Sequence, residues 1–206
     1  PDQSWAIIDW GRRETADSKA EPTPPEQIEV LDRLHARIAR LGRFDSAGID
    51  VGYDPDRIVP WARKHGFRLL RGDQRPTGKK DEDRSRLLPS WADERRQDDG
   101  TFWLFIDGAA VKAEIAKALA RDPGEAGSGQ LPRGQAANDW LIRHICAEFW
   151  DAKKMVWAKR RQDNHLLDCL VYAYALAVIK LRGKPTPSTV RQQHTHKDDD
   201  YGASVW

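Results

Sequence analysis

The stretch that most restricts the fold is Lys159–Ala177, KRRQDNHLLDCLVYAYALA. Leu166, Leu167, Leu170, Val171, Ala173, Ala177 and, just beyond, Val178 recur at helical spacing and predict a helix with one face packed inward. Asp163 stands where it can cap the first turn by accepting an orphan backbone N–H. Asn164, Asp168 and Tyr172 follow at i, i+4 and i+8, with His165 three residues before Asp168. These spacings lay a polar strip along an otherwise apolar helix. A carboxylate so placed needs a partner, because burying an unpaired charge is costly. A metal ion is the simplest partner. A single aspartate on a helix is more often solvated or capping than a ligand, and the neighbours change that balance. Lys159, Arg160 and Arg161 sit one turn upstream, where they can meet phosphate.

The segments before this helix alternate between strand and helix signals. Ser4–Trp10 (SWAIIDW) reads as a strand and Gly11–Pro25 as a loop. Pro25–Leu41 is an amphipathic helix stopped by Gly42. Phe44–Val51 is a second strand carrying Asp50 near its end. Asp54-Pro55 then opens a helix that closes at Gly66, before a short strand over Phe67–Leu70. Strand, helix and strand in succession imply parallel neighbours in one sheet. Asp50 thus falls at the carboxyl end of a strand, the edge where open α/β sheets bind ligands. The bland reading, a turn aspartate serving the next helix, weighs equally on the residues alone.

Arg71–Gln97 is a long mixed-charge segment, read as a solvated loop, with Arg71, Arg75, Lys79 and Lys80 as a possible DNA-contacting set. Gly100–Asp107 is an apolar strand, and Ala109–Arg121 a helix with Lys112 and Lys117 exposed. Asp122–Gln135 is a loop, Ala136–Trp150 an amphipathic helix, and Lys154–Ala158 a short strand. The polar tail beyond Gly183 is read as flexible, so His194 and His196 are not assigned to a metal.

Composition narrows the classes of function. A net charge of +2 gives no global attraction to nucleic acid, so a DNA-binding surface must be local. Nine tryptophans favour a packed core. Cys146 and Cys169 lie in apolar helical contexts and read as buried thiols, suited to a reducing cytoplasm. No apolar run reaches the roughly 18 residues of a membrane span, and no signal peptide stands at the start. The first residue is proline, which points to a fragment or a processed chain.

The string RRQDNHLLDCLVYAYALA resembles the end of the nuclease domain of phage terminase large subunits, in the lambda-like GpA family. There an Asn-x-x-x-Asp-Cys-x-x-Tyr-Ala pattern carries a metal-binding aspartate. Asn164, Asp168, Cys169, Tyr172 and Ala173 match it. IDVGYDP…WARKHG, around Asp50, resembles the family's second acidic strand. The resemblance implies an α/β, RNase H-like domain with a central mixed sheet flanked by helices, over residues 1–183, with 184–206 as a tail. The family's first strand, bearing the first metal-ligand aspartate, is expected before SWAIID and is lacking here. Asp9, on the following strand, reads first as a surface aspartate and second as a substitute third ligand.

The chemistry implied is phosphodiester cleavage with two Mg²⁺ or Mn²⁺ ions held mainly by carboxylates. Asp50 and Asp168 are the candidate catalytic metal ligands. Asn164 and His165 are auxiliary groups that orient Asp168 or touch phosphate. Lys159, Arg160 and Arg161 hold the DNA backbone. The implied function is cutting concatemeric double-stranded DNA during genome packaging in the host cytoplasm. The implied partners are a terminase ATPase domain, the small terminase subunit and a portal, with no membrane. The alternative is a non-catalytic DNA-binding or docking module on a degenerate RNase H-like fold. A transposase- or resolvase-like enzyme is a third possibility.

Overall fold

The run Phe102–Ile106, FWLFI, is apolar at every position because it is covered on both faces. The computed structural model describes residues 5–6, 24–40, 46–52, 54–72, 78–131, 135–162 and 164–182. In chain order these form β1 (Trp5–Ala6), α1 (Pro24–Arg40), β2 (Gly48–Asp50), α2 (Pro55–His65) and β3 (Arg68–Gly72). Then come β4 (Lys79–Lys80), α3 (Glu82–Ser85), β5 (Ala92–Arg96), β6 (Phe102–Ile106) and α4 (Gly108–Leu119). The last are β7 (Gly129–Gln130), α5 (Gln135–Ile145), β8 (Glu148–Asp151), β9 (Val156–Lys159) and α6 (His165–Arg182).

The central sheet is mixed, in the order β2-β3-β6-β5-β4. β2, β3 and β6 are parallel, and β5 and β4 extend the sheet antiparallel. Side chains alternate across a strand, so β3 and β6 feed two cores. Leu70, Leu104 and Ile106 pack with Val111 and Ile115 of α4 and with Leu170, Val171 and Leu176 of α6. Leu69, Trp103 and Phe105 pack on the other face with Val59, Trp61 and Ala62 of α2, and α1 adds Ile28 and Leu31. A Cβ on Gly48 would run into the δ-methyls of Leu70 and Leu176, so glycine lets α6 lie close over edge strand β2. β1 pairs with β7, and β8 and β9 form a separate hairpin.

Several local signals behave as read. α2 has proline in its first turn and ends on Gly66, whose φ of 72° is the left-handed cap conformation. Asp54 starts the helix without capping it. Its carboxylate accepts from Arg57 at 2.7 Å instead.

Other expectations are overturned. The charged segment 71–97 is not a plain loop: it contains β4, α3 and β5, and β5 is an interior strand of the sheet. Its apolar count is low because its buried Glu94 is neutralised by Arg68 and Arg84. Lys79 and Lys80 lie on the opposite sheet edge from Asp50; Arg75 lies outside the described residues. The helix read over Ala136–Trp150 ends at Ile145, and Glu148–Asp151 is strand. The loop read over Asp122–Gln135 contains β7. Lys112 is not exposed, because its side chain is drawn inward by acids. Cys146 and Cys169 are exposed rather than buried. Ala173 and Ala177 are also exposed, and border a cavity rather than the core. The readings of Asp9, of Asp163 as a cap, of Gly11–Thr23 as loop and of the tail lie outside the described residues.

Candidate active site

Two elements distant in sequence build the site. β2 delivers Asp50 at its end, and α6 delivers Asp168 from its first turn. Both line one open cavity of about 890 Å³ beneath α1, whose wall also includes His165, Cys169 and Tyr172. The rest of the wall is largely apolar, with Leu34 and Ile38 of α1 facing Leu176 and Ala177 of α6.

Asp50 is held from two sides. Its Oδ1 accepts the backbone N–H of Gly52 at 2.7 Å, and its Oδ2 accepts the Tyr172 hydroxyl at 3.1 Å. Burial, with the charge of Asp50 second, pushes the Tyr172 hydroxyl far above its ordinary pKa. Tyr172 therefore stays protonated and donates. Asp50 remains exposed, and each oxygen keeps acceptor capacity.

Asp168 is half-buried, and its Oδ1 lies 3.7 Å from the Lys112 ammonium. Burial raises its pKa; Lys112 works against the rise, the Glu148 charge adds to it, and Lys159 and His165 oppose it. Cys169, open to the cavity, carries a thiol pushed up by surrounding protein and by the charges of Asp168 and Asp50. It is therefore a protonated wall residue at neutral pH, without the thiolate character of a nucleophile.

Behind Asp168 lies a network with no signature in the sequence. Lys112 Nζ donates to Glu148 Oε2 at 2.7 Å, and Asn164 Nδ2 donates to Glu148 Oε1 at 2.7 Å. The Glu148 side chain is 5% exposed and that of Lys112 13%. A buried carboxylate with a cation on one oxygen and an amide on the other is well satisfied. The Asn164 side chain thus bonds Glu148, while its backbone oxygen accepts the N–H groups of Leu167 and Asp168 and starts α6. Glu148 and Lys112 were missed because nothing in their spacing links them. One lies on a hairpin, the other on α4, and only the docking of that hairpin against α4 joins them.

The basic cluster flanks this arrangement. Lys159, Arg160 and Arg161 are exposed, and the backbone N–H groups of Arg160 and Arg161 reach Ala147 O at 2.7 and 3.3 Å. The Arg160 guanidinium sits 4.9 Å from the centroid of Phe149.

Among the described residues, no group of three His, Cys, Asp or Glu side chains is placed to share a metal ion. The donor chemistry of Asp50 and Asp168 nevertheless fits a hard divalent cation. Both are carboxylates, both reach the same open cavity, and Mg²⁺ commonly uses one or two carboxylates with waters or phosphates completing its shell.

The mixed α/β domain brings one acid from a strand end and one from a helix to a single open cavity, with Lys159 acting on the second. The family model for the terminase large subunit gpA endonuclease domain matches residues 8–186. The chain belongs to that family. No curated protein and no solved structure matches it.

Proposed function

We propose that this domain is a metal-dependent endonuclease that cuts concatemeric double-stranded DNA during viral genome packaging. One observation carries the reading beyond family membership: Asp50 and Asp168, far apart in the chain, line the same open cavity, and the charge of Lys159 reaches Asp168. Asp50 and Asp168 would hold Mg²⁺ or Mn²⁺; Asp9 reads first as a surface aspartate and only second as a substitute third ligand. Bound as a pair, such ions supply Lewis-acid polarisation of the scissile phosphate and stabilise charge on the attacking and leaving oxygens.

The protein's own groups have separate tasks. Tyr172 and the Gly52 N–H fix the orientation of Asp50. Lys112 and Asn164 lock Glu148 and keep the wall behind Asp168 rigid. Lys159, Arg160 and Arg161 neutralise backbone phosphates, which positions DNA without reading its sequence. His165 lines the same cavity and would touch a phosphate or orient Asp168.

The RNase H-like description belongs to this reading, and the mixed sheet flanked by helices supports it. Residues 1–183 as the nuclease unit, action in the host cytoplasm, and partnership with the packaging ATPase domain, small subunit and portal are parts of the same proposal. A second reading, a DNA-binding or docking module without catalysis, draws support from Lys112, which already occupies the space between Glu148 and Asp168 with a positive charge.

Nicking of supercoiled plasmid separates the two. The nuclease reading expects nicking with Mn²⁺, slower nicking with Mg²⁺, none in chelator, and loss of the activity in Asp168→Ala. No nicking with either metal, with DNA binding retained, would establish the second reading.

A further inference from the structure

The β8–β9 hairpin is unusual for what it exposes. Phe149, Trp150, Met155 and Val156 are 38%, 45%, 68% and 47% exposed. A two-stranded sheet is marginal by itself, and this one is braced at its base. Glu148 is tied to Lys112, and the Trp157 indole N–H donates to Ala109 O of α4 at 3.1 Å. Trp150 packs edge-on against Trp157 with ring centroids 6.0 Å apart. The brace leaves the outer part of Trp150 and the whole tip facing solvent.

The tip is also built against backbone preference. Met155 has φ of 55°, a left-handed conformation that glycine or asparagine normally takes at a hairpin corner. Its side chain is the most exposed of these four, so no packing inside the domain compensates the strain. The exposed charge of the hairpin is mainly basic, from Lys153 and Lys154 at the tip and from Lys159, Arg160 and Arg161 at the base. The one acid of the turn, Asp151, accepts the backbone N–H groups of Lys153 and Lys154 at 3.0 and 3.2 Å. The hairpin leaves the site at Glu148 and returns at Lys159, whose charge acts on Asp168.

We infer that this hairpin is a DNA-gripping wedge, with Lys153 and Lys154 on phosphates and with Trp150 and Met155 against bases of a locally opened step. The inference rests on the proposed DNA-cutting role and adds to it a second kind of contact. Phosphate pairing holds any duplex; an aromatic or thioether wedge favours DNA whose bases are unstacked. Apolar side chains next to Lys153 and Lys154, on a hairpin that starts from the proposed site, match a polyanion with exposed base faces. A protein partner recognised through apolar area would not call for that mainly basic flank.

The test is binding of the full chain, in chelator, to a fluorescent duplex and to the same duplex with a short central mismatch bubble, across a salt series. The wild type should prefer the bubble by about fivefold or more, the equivalent of roughly 1 kcal/mol of stacking. Trp150→Ala should remove the preference and leave the salt slope intact. Lys153→Ala and Lys154→Ala should each lower the slope by about one and keep the preference. Met155→Gly relieves the backbone, so it should raise Tm while weakening bubble binding. A merely structural tip would not give those opposite signs. The inference is overturned if Trp150→Ala and Met155→Gly both bind the bubble within about twofold of wild type. It is equally overturned if they alter sedimentation but not DNA binding, which would make the hairpin a protein interface. Plasmid nicking by wild type reads the nuclease proposal separately: hairpin-dependent binding without nicking would sink that proposal and leave the wedge standing.

Discussion

Glu94 and Asp168 are both drawn into the protein, and they are treated in opposite ways. Glu94 is 6% exposed, with Arg68 on one oxygen and Arg84 on the other, each at 2.6 Å. Ser85 bonds its backbone on both sides, and Asp81 donates to its carbonyl. Every acceptor of Glu94 is spoken for, and its role is to staple β3 and α3 to β5. Asp168 is half-open to a cavity, its nearest cation stands off at 3.7 Å, and burial raises its pKa with no comparable compensation. A carboxylate that is completely paired stabilises a fold. One left partly desolvated and reachable is available to a ligand.

Charge-removing substitutions should separate the two. Asp168→Ala or Asp50→Ala should cut metal-dependent plasmid nicking by about a hundredfold or more, the scale expected when a group stabilising the transition state is lost. Circular dichroism should show the fold retained. Glu94→Ala should do the reverse. It leaves two arginines facing each other across a buried gap, at a cost of about 2 kcal/mol, moderated because both arginines are partly exposed. Chemical denaturation would read that loss. A Glu94→Ala protein of unchanged stability would break the distinction.

Lys112 sharpens the comparison, since it is the cation that Asp168 only half possesses. Lys112→Met removes a positive charge beside both Glu148 and Asp168, so Mn²⁺ binding by calorimetry should tighten by about tenfold, on the order of 1.4 kcal/mol. Weaker binding would instead make Lys112 a support for the ion's ligands.

The smallest expected effect concerns pH. The folded-state pKa of Asp168 is raised above its ordinary 3.8, so the folded chain binds that proton more tightly than the unfolded chain does. Stability from this group therefore falls as pH rises through the window between the two values. Asp168→Asn should melt slightly above wild type at neutral pH, with the advantage shrinking toward pH 4. An advantage that grew on acidification would contradict a desolvated, weakly compensated carboxylate.

Short-range signals in the sequence were enough for much of the framework. Helical spacing of leucines marks α6, Pro55 and Gly66 bracket α2, and Asp50 at a strand end and Asp168 on a packed helix are visible as residues that need an explanation. Those features depend on φ preferences and on side-chain periodicity within a turn or a strand, which neighbouring residues dictate. β5 was hidden because ADERR has the charge of a loop, and only Arg68 and Arg84 arriving from elsewhere make Glu94 tolerable in the interior. The same holds for the site. That Tyr172 would hold Asp50 across the sheet edge, that Asn164 would turn to Glu148, and that Lys112 would stand between two acids were decided by the packing of α4 and α6 over the sheet. The sequence determined which residues carry charge and which segments coil or extend. Which charge meets which depends on distances between elements far apart in the chain, and burial of the shared core is what sets those distances.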